Sequence, residues 1–342
     1  MQTITAASGM TEEREAFVEA IRDFAARECG TREKRARLTD DWKHSHNDDI
    51  VRQIAALGWI GCCFPEEYGG AGGGVVDACL VLEELHRGLV PAHGMLVSLI
   101  VGKAVEKFGT EEQKREIIGG ACDGQVASIA MSEPGAGSDV GGLTCRAARC
   151  DGGYLVNGQK TWITSAHHAQ RILLVCRTDP SSSSKHEGIT MLDVPTQTEG
   201  LEIRPIQTLG GSEVNDVYFT DVFVPQQRLV GREGEAWTQL MAGLNFERVV
   251  TAAAALGHGQ RAFDDALAYI KGREQFGRSI GSFQVIKHRI ADLATELQCC
   301  RLLVRDVARQ ADAQPDRMLA REASMAKLKS TEIAKRAALE GM

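Results

Sequence analysis

The chain has 342 residues, with 39 Lys and Arg against 46 Asp and Glu and a formal net charge of −7. One hydrophobic core stops growing at about 250–300 residues, so this length calls for two or three domains. The acidic balance and the lack of a polybasic block exclude nucleic acid and anionic membrane as principal partners, and no apolar run reaches the ~18 residues of a membrane span.

The opening residues, MQTITAASGMTEEREAF, turn acidic at once, without the cationic start and apolar stretch of a signal peptide. The ten cysteines include no C-x-x-C, and four of them form adjacent pairs that cannot easily bridge. Reduced, mostly buried thiols in a cytoplasmic protein are expected.

From Thr11 to about Gly120 the apolar spacing is helical: Phe17, Ile21 and Phe24, then Val51, Ile54 and Leu57, then Val75 to Leu89 and His93 to Phe108. Breaks fall at Gly30, at the FPEEYGGAGGG loop and at Pro91. From about Val126 short β-branched runs take over: QVASIAM, YLVNGQKTWIT, RILLVCRT, GITMLDV, LEIRPIQTLG and NDVYFTDVFV. Asn157-Gly158 predicts a two-residue hairpin turn, and Ser181 to Ser184 an exposed polar loop. Strands without intervening helices predict a small antiparallel barrel or sandwich. After Pro225 helices are predicted over Glu235 to Lys271, Phe283 to about Ala311, and Asp316 to the terminus, with Ile286, Ile290, Leu293 and Leu297 as a bundle stripe.

Several stretches carry candidate chemistry. In MSEPGAGSDV, Ser132 and Ser138 offer hydroxyls, while Gly135 and Gly137 let backbone N–H groups approach a ligand; a plain tight turn would look the same. The GxGxxG spacing of a dinucleotide-binding βαβ unit is absent. Trp162, with Thr164 on its face of the strand after the Asn157-Gly158 turn, could flank a planar heterocycle, although a core tryptophan is the commoner outcome. REQFGRSIGSFQ gathers Arg273, Phe276, Arg278 and Gln284 between two helices, suited to a pyrophosphate or simply to solvent. His167 and His168 would point to opposite faces of a strand with no Cys, Asp or Glu at ligand spacing, so no metal site is expected. No G-x-S-x-G supports Ser/His/Asp catalysis.

Glu247, in LNFERVV, stands with Arg248 at the head of a helix rich in small residues, Ala252 to Ala255 and Gly257, which would let another chain or a ligand pack close. Taken alone it reads as a helix-start carboxylate stabilised by ~0.3–1 kcal/mol. A base placed for chemistry is the other reading.

In combination and order, FPEEYGG, SEPGAGSD, NGQKTWIT, FTDVFVP, ER before an Ala/Gly helix, and REQFGRSIGSFQ resemble the motifs of the acyl-CoA dehydrogenase family, from about residue 12 onward. The resemblance implies a multi-domain α+β fold: an N-terminal all-α domain (1–125), a central antiparallel β-barrel (126–232) and a C-terminal helical bundle (233–342). It implies FAD, with Met131, Ser132, Gly137, Ser138, Trp162 and Thr164 at the flavin end. Arg273, Phe276 and Gln284 would reach the adenosine diphosphate portion in a neighbouring subunit of a homotetramer, a dimer of dimers, unless the assembly is hetero-oligomeric.

In such enzymes a glutamate removes the α-proton of an acyl-CoA thioester while the β-hydrogen leaves as hydride to flavin N5, giving the trans-2-enoyl-CoA. Glu247 resembles the placement found in the isovaleryl-CoA and long-chain branches, with Asn245, Arg248 and Ser138 near the substrate. An electron-transferring flavoprotein would take the electrons, in fatty-acid β-oxidation. The chain stops at AALEGM, before the family's Q-x-x-G-G-x-G segment, so the bundle is expected to be truncated. Two alternatives follow: a flavin monooxygenase or oxidase on the same fold, or a non-catalytic subunit or inactive fragment.

Overall fold

The computed structural model describes residues 10–182 and 184–342. The reading of MQTITAASG as free of a signal peptide and Ser183 of the polar loop lie outside the described residues. In chain order the elements are α1 (Glu12–Cys29), α2 (Arg32–Leu38), α3 (Asp48–Ala56), α4 (Val75–Arg87), α5 (His93–Phe108) and α6 (Glu111–Cys122). The strands β1 (Val126–Ala130), β2 (Arg146–Cys150), β3 (Gly153–Thr164), β4 (Ala169–Arg177), β5 (Ile189–Pro195), β6 (Leu201–Thr208), β7 (Gly211–Pro225) and β8 (Leu229–Val230) follow. The chain ends with α7 (Ala236–Gly272), a short β9 (Glu274–Gln275) and β10 (Arg278–Ser279), α8 (Gln284–Ala313) and α9 (Ala320–Gly341). Two compact units form, each from separated segments: one from 10–35, Gly73–Val90 and Asn245–Met342, the other from Ala36–Gly72 and Pro91–Leu244.

In the first unit α1 starts where the Thr11 side chain accepts the Arg14 N–H, with Glu12, Glu13 and Glu15 complementing the helix dipole. Ile21 and Phe24 of its stripe are buried. No side chain preceding α4 caps it. Asp312 of α8 does so from a distance in sequence, accepting the N–H groups of Val75 (2.6 Å) and Val76 (3.1 Å). Buried Glu84 takes a two-pronged grip from Arg22 (2.6 and 2.8 Å), and buried Glu83 an ion pair from Arg301 (2.6 Å). The small residues of α7 let α4 and α9 of the same chain pack close. A Cβ on Gly257 would overlap the Glu83 carbonyl, and one on Gly259 would stand 3.0 Å from Ala334 Cα.

In the second unit α6 opens with a capping box, Thr110 and Gln113 each accepting the other's N–H (3.2 and 3.0 Å). The sheet runs β6-β7-β3-β2-β4-β5-β8, with β1 parallel to β4. It is open. The expected antiparallel barrel is therefore not formed: β6 is an exposed edge and β8 has two residues, and no ladder joins them among the described residues. Alternation reports which face is buried, whereas closure needs hydrogen bonds between the outermost strands. The sheet core is Tyr154, Val156, Ile163, Leu174, Leu192, Val217 and their neighbours. Free cysteines are buried except Cys150 and Cys299.

Asn157-Gly158 is not a turn. Both lie inside β3, and the β2–β3 turn is Asp151-Gly152, where Gly152 has φ +75°. Gly158 is required for a different reason: a Cβ there would sit 2.7 Å from Cys145 Cα. Trp162 consequently shares one strand with Tyr154 and Val156.

Gly257 gives a test of this packing. In an open helix, Gly257→Ala would gain about 1 kcal/mol of propensity. Against the Glu83 carbonyl it is expected to destabilise instead, by about 1–3 kcal/mol, read as a lower urea midpoint at unchanged m.

Candidate active site

The MSEPGAGSDV loop leaves β1 and is anchored by one buried ion pair. Lys160, fully buried on β3, donates to Glu133 Oε1 (2.8 Å) and to the Met131 carbonyl (2.9 Å). Glu133 also accepts the Thr144 N–H (2.7 Å) and hydroxyl (2.8 Å) and the Cys145 N–H (2.9 Å). Burial pushes the Glu133 carboxyl up, but Lys160 and these donors outweigh it and hold the carboxyl below its ordinary range. Neither residue stood out in the sequence. The available signal was a lysine at an inward position of a strand with an acid inside the glycine loop.

Just past Lys160 the β3–β7 register shifts: from Lys160 to Ile163 β3 takes three steps while β7 takes two, Val217 to Asn215. Trp162 occupies this bulge with φ +61° and is 60% exposed. The Thr161 N–H donates to the Ser132 carbonyl (2.9 Å), and the Ser128 hydroxyl to the Thr164 carbonyl (2.8 Å). Met131, Ser132, Trp162 and Thr164 are thus brought together. Ser138 lies at the exposed loop tip, next to Asp139, which pairs with Lys185 (2.6 Å).

Glu247 belongs to the helical unit. Its carboxylate is half-buried, with no hydrogen bond or ion pair to it among the described residues. Burial raises its pKa above the ordinary carboxylate value, opposed by Arg248 and Lys327. Arg248 donates to Oδ1 of buried Asn245 (2.8 Å). In the same unit Phe276 (φ +55°) and Gly277 (φ +74°) form the turn between β9 and β10. Phe276 is 92% exposed, and Arg273 and Gln284 are exposed beside it in sequence, at the base of this hairpin and at the start of α8.

His167 and His168 depart from expectation. They lie on the turn between β3 and β4, not on a strand, and their ring centroids approach to 4.1 Å. His44 and His46, from before α3, join them, with the His46 and His168 rings at 4.6 Å. Burial first, and His168 second, push His46 down to about 4.

The flavin-end residues fit a planar, hydrogen-bonding cofactor. Trp162 presents a ring plane from a rigid strand, and Gly135 and Gly137 have nothing within 4 Å of a Cβ position, leaving their backbone open to a ligand. Sequence profiles described as the acyl-CoA dehydrogenase N-terminal, middle and C-terminal domains match residues 11–125, 128–222 and 234–342. The chain belongs to the acyl-CoA dehydrogenase family. It is 35% identical to the mitochondrial isovaleryl-CoA dehydrogenase of Arabidopsis thaliana over 303 residues, 86% of this chain and 73% of that one. An acyl-CoA dehydrogenase crystal structure from Geobacillus kaustophilus aligns with a TM-score of 0.87 at 31% identity, over 97% of this chain and 87% of that one. A Mycobacterium smegmatis glutaryl-CoA dehydrogenase in complex with FADH2 aligns at 0.85 and 25% identity, over 97% and 84%.

The protein is accordingly an FAD-dependent oxidoreductase that dehydrogenates acyl-CoA thioesters. The oxygenase and non-catalytic alternatives are not favoured by these relatives. Among the described residues no helix is long and apolar enough to cross a membrane.

Lys160→Met would strand a buried carboxylate, and a loss of about 3–5 kcal/mol in chemical denaturation is expected. Because the folded Glu133 pKa is depressed, its stabilisation is full above the ordinary carboxylate pKa and is lost as pH falls through the folded value. The difference in stability between wild type and Lys160→Met should therefore shrink in acid.

Proposed function

We propose that Glu247 is the base that removes the α-proton of the acyl-CoA, with Asn245, Arg248 and Ser138 positioning the substrate. The supporting observation is an unpaired, half-buried carboxylate whose pKa is raised by burial. A carboxylate is a weak base toward carbon, and removing water from it strengthens it. The Arg248–Asn245 hydrogen bond holds the guanidinium toward Asn245. The proton passes from the α-carbon to a Glu247 oxygen. FAD, when bound, supplies the acceptor for the β-hydrogen as hydride.

Met131, Ser132, Gly137, Ser138, Trp162 and Thr164 hold the flavin end. Arg273, Phe276 and Gln284 reach the diphosphate end in a neighbouring subunit of a homotetramer; an exposed aromatic on a two-residue turn supports an outward role. The isovaleryl-CoA named for the Arabidopsis relative, together with a glutamate in LNFER, supports a branched acyl group. An electron-transferring flavoprotein is the acceptor, in the cytoplasm. The domain division is 1–125, 126–232 and 233–342.

Anaerobic mixing with isovaleryl-CoA and straight-chain acyl-CoAs tests the assignment. Glu247→Gln should slow flavin bleaching by about 10²–10⁴-fold at unchanged FAD content; bleaching at the wild-type rate would remove the residue from the mechanism. The acid limb of kcat/KM should fall above the ordinary glutamate pKa, since the base must be ionised and burial raises its pKa. Arg273→Ala should purify with reduced FAD, whereas loss of turnover at full FAD occupancy would refute the diphosphate role.

A further inference from the structure

We infer that His44, His167 and His168 form a binding site for a divalent transition metal of the zinc, cobalt and nickel class, on the face of the sheet unit where the β3–β4 turn meets the segment before α3. One ring nitrogen from each can be chosen so that all three lie within 4.8 Å of one another. Tetrahedral ligands at ~2.0–2.1 Å from a metal stand roughly 3.3 Å apart, so modest ring rotations close the gap. The turn supplies rigidity: the His168 N–H donates to the Ser165 carbonyl (3.1 Å) and the Ser165 N–H to the Glu213 carbonyl (2.8 Å).

The hydrogen-bond balance separates ligands from bystanders. His46 Nδ1 accepts the Gly94 N–H (3.1 Å), so its proton is on Nε2, directed to Asp48 (3.2 Å). Both its nitrogens are occupied, which argues against the alternative grouping of His46, Asp48 and His168. The other three rings differ. His44 Nδ1, His168 Nε2 and both nitrogens of His167 are buried without a hydrogen bond. Asn215 favours an N–H on one nitrogen of His167, which leaves the opposite nitrogen as a lone pair. Leaving such groups unsatisfied is costly, and a metal ion would relieve several at once.

A carboxylate supplies negative charge to the cluster. Glu213 is buried; its Oε1 accepts the Ser45 N–H, while its Oε2 has no partner. Its charge bears on His46, His93, His167 and His168 together. Three imidazoles form a set for a borderline ion, not for calcium or magnesium. The bound ion would tie the segment before α3 to the sheet.

The full-length FAD-loaded protein, stripped with EDTA and dialysed, is titrated with Co²⁺ and with Zn²⁺. Expected are one tight site, visible d–d absorption of a low-coordinate cobalt, and a rise in Tm with Zn²⁺. His44→Gln and His167→Gln should weaken binding by at least about 100-fold, more than the ~10–100-fold of a lost outer-shell contact. His288→Gln, an exposed residue elsewhere, should leave it intact. Should His167→Gln not fold, His44→Gln carries the same reading. Absence of tight binding, equal affinity in His44→Gln, or a thiolate-to-cobalt charge-transfer band would overturn the assignment.

Discussion

The ammonium of Lys160 and the carboxylate of Glu133 meet at 2.8 Å where water is excluded, and the glycine-rich loop is organised around that contact. Taking two charges out of water costs several kcal/mol per ion, so such a pair persists only when every remaining donor and acceptor is used. Here Glu133 accepts two backbone N–H groups and a hydroxyl besides the lysine, and Lys160 spends a second proton on the Met131 carbonyl. The pair thereby joins the loop to β3 just before the bulge that turns Trp162 outward. The loop can remain glycine-rich and open to a ligand because its shape is held by groups behind it.

The helical unit uses charge in a related way. Glu83 and Glu84 are nearly inaccessible on α4, yet each is matched by an arginine from α8 or α1, and Asp312 supplies the cap that α4 lacks locally. Gly257 allows α7 to approach the α4 backbone closely enough for this lattice to form. Glu247 lies ten positions earlier on the same helix and takes part in none of these pairings. Burial alone, opposed by Arg248 and Lys327, sets the direction of its pKa shift.

Much of the architecture was legible along the chain. The helical periods of Ile21 and Phe24, of Val51 and Ile54, and of Leu293 and Leu297 mark helices that bury those residues, and the β-branched runs become β1 and β3–β7. Misreadings occurred where a local signal was overridden by packing. Asn157-Gly158 has the composition of a turn, but its glycine answers to Cys145 across the sheet. The arginine-rich β2 alternates too weakly to be recognised before its partners are known.

Period, capping residues and motif order follow from interactions between near neighbours, and these the sequence determined by itself: helix, strand, helix, and the family those motifs resemble. Sheet closure, the regrouping of 10–35 and Gly73–Val90 with the last helices, the Lys160–Glu133 contact and the meeting of His44 with His167 depend on residues far apart in the chain. Such contacts are decided by which surfaces pack, and no periodicity in the sequence encodes a distance between them.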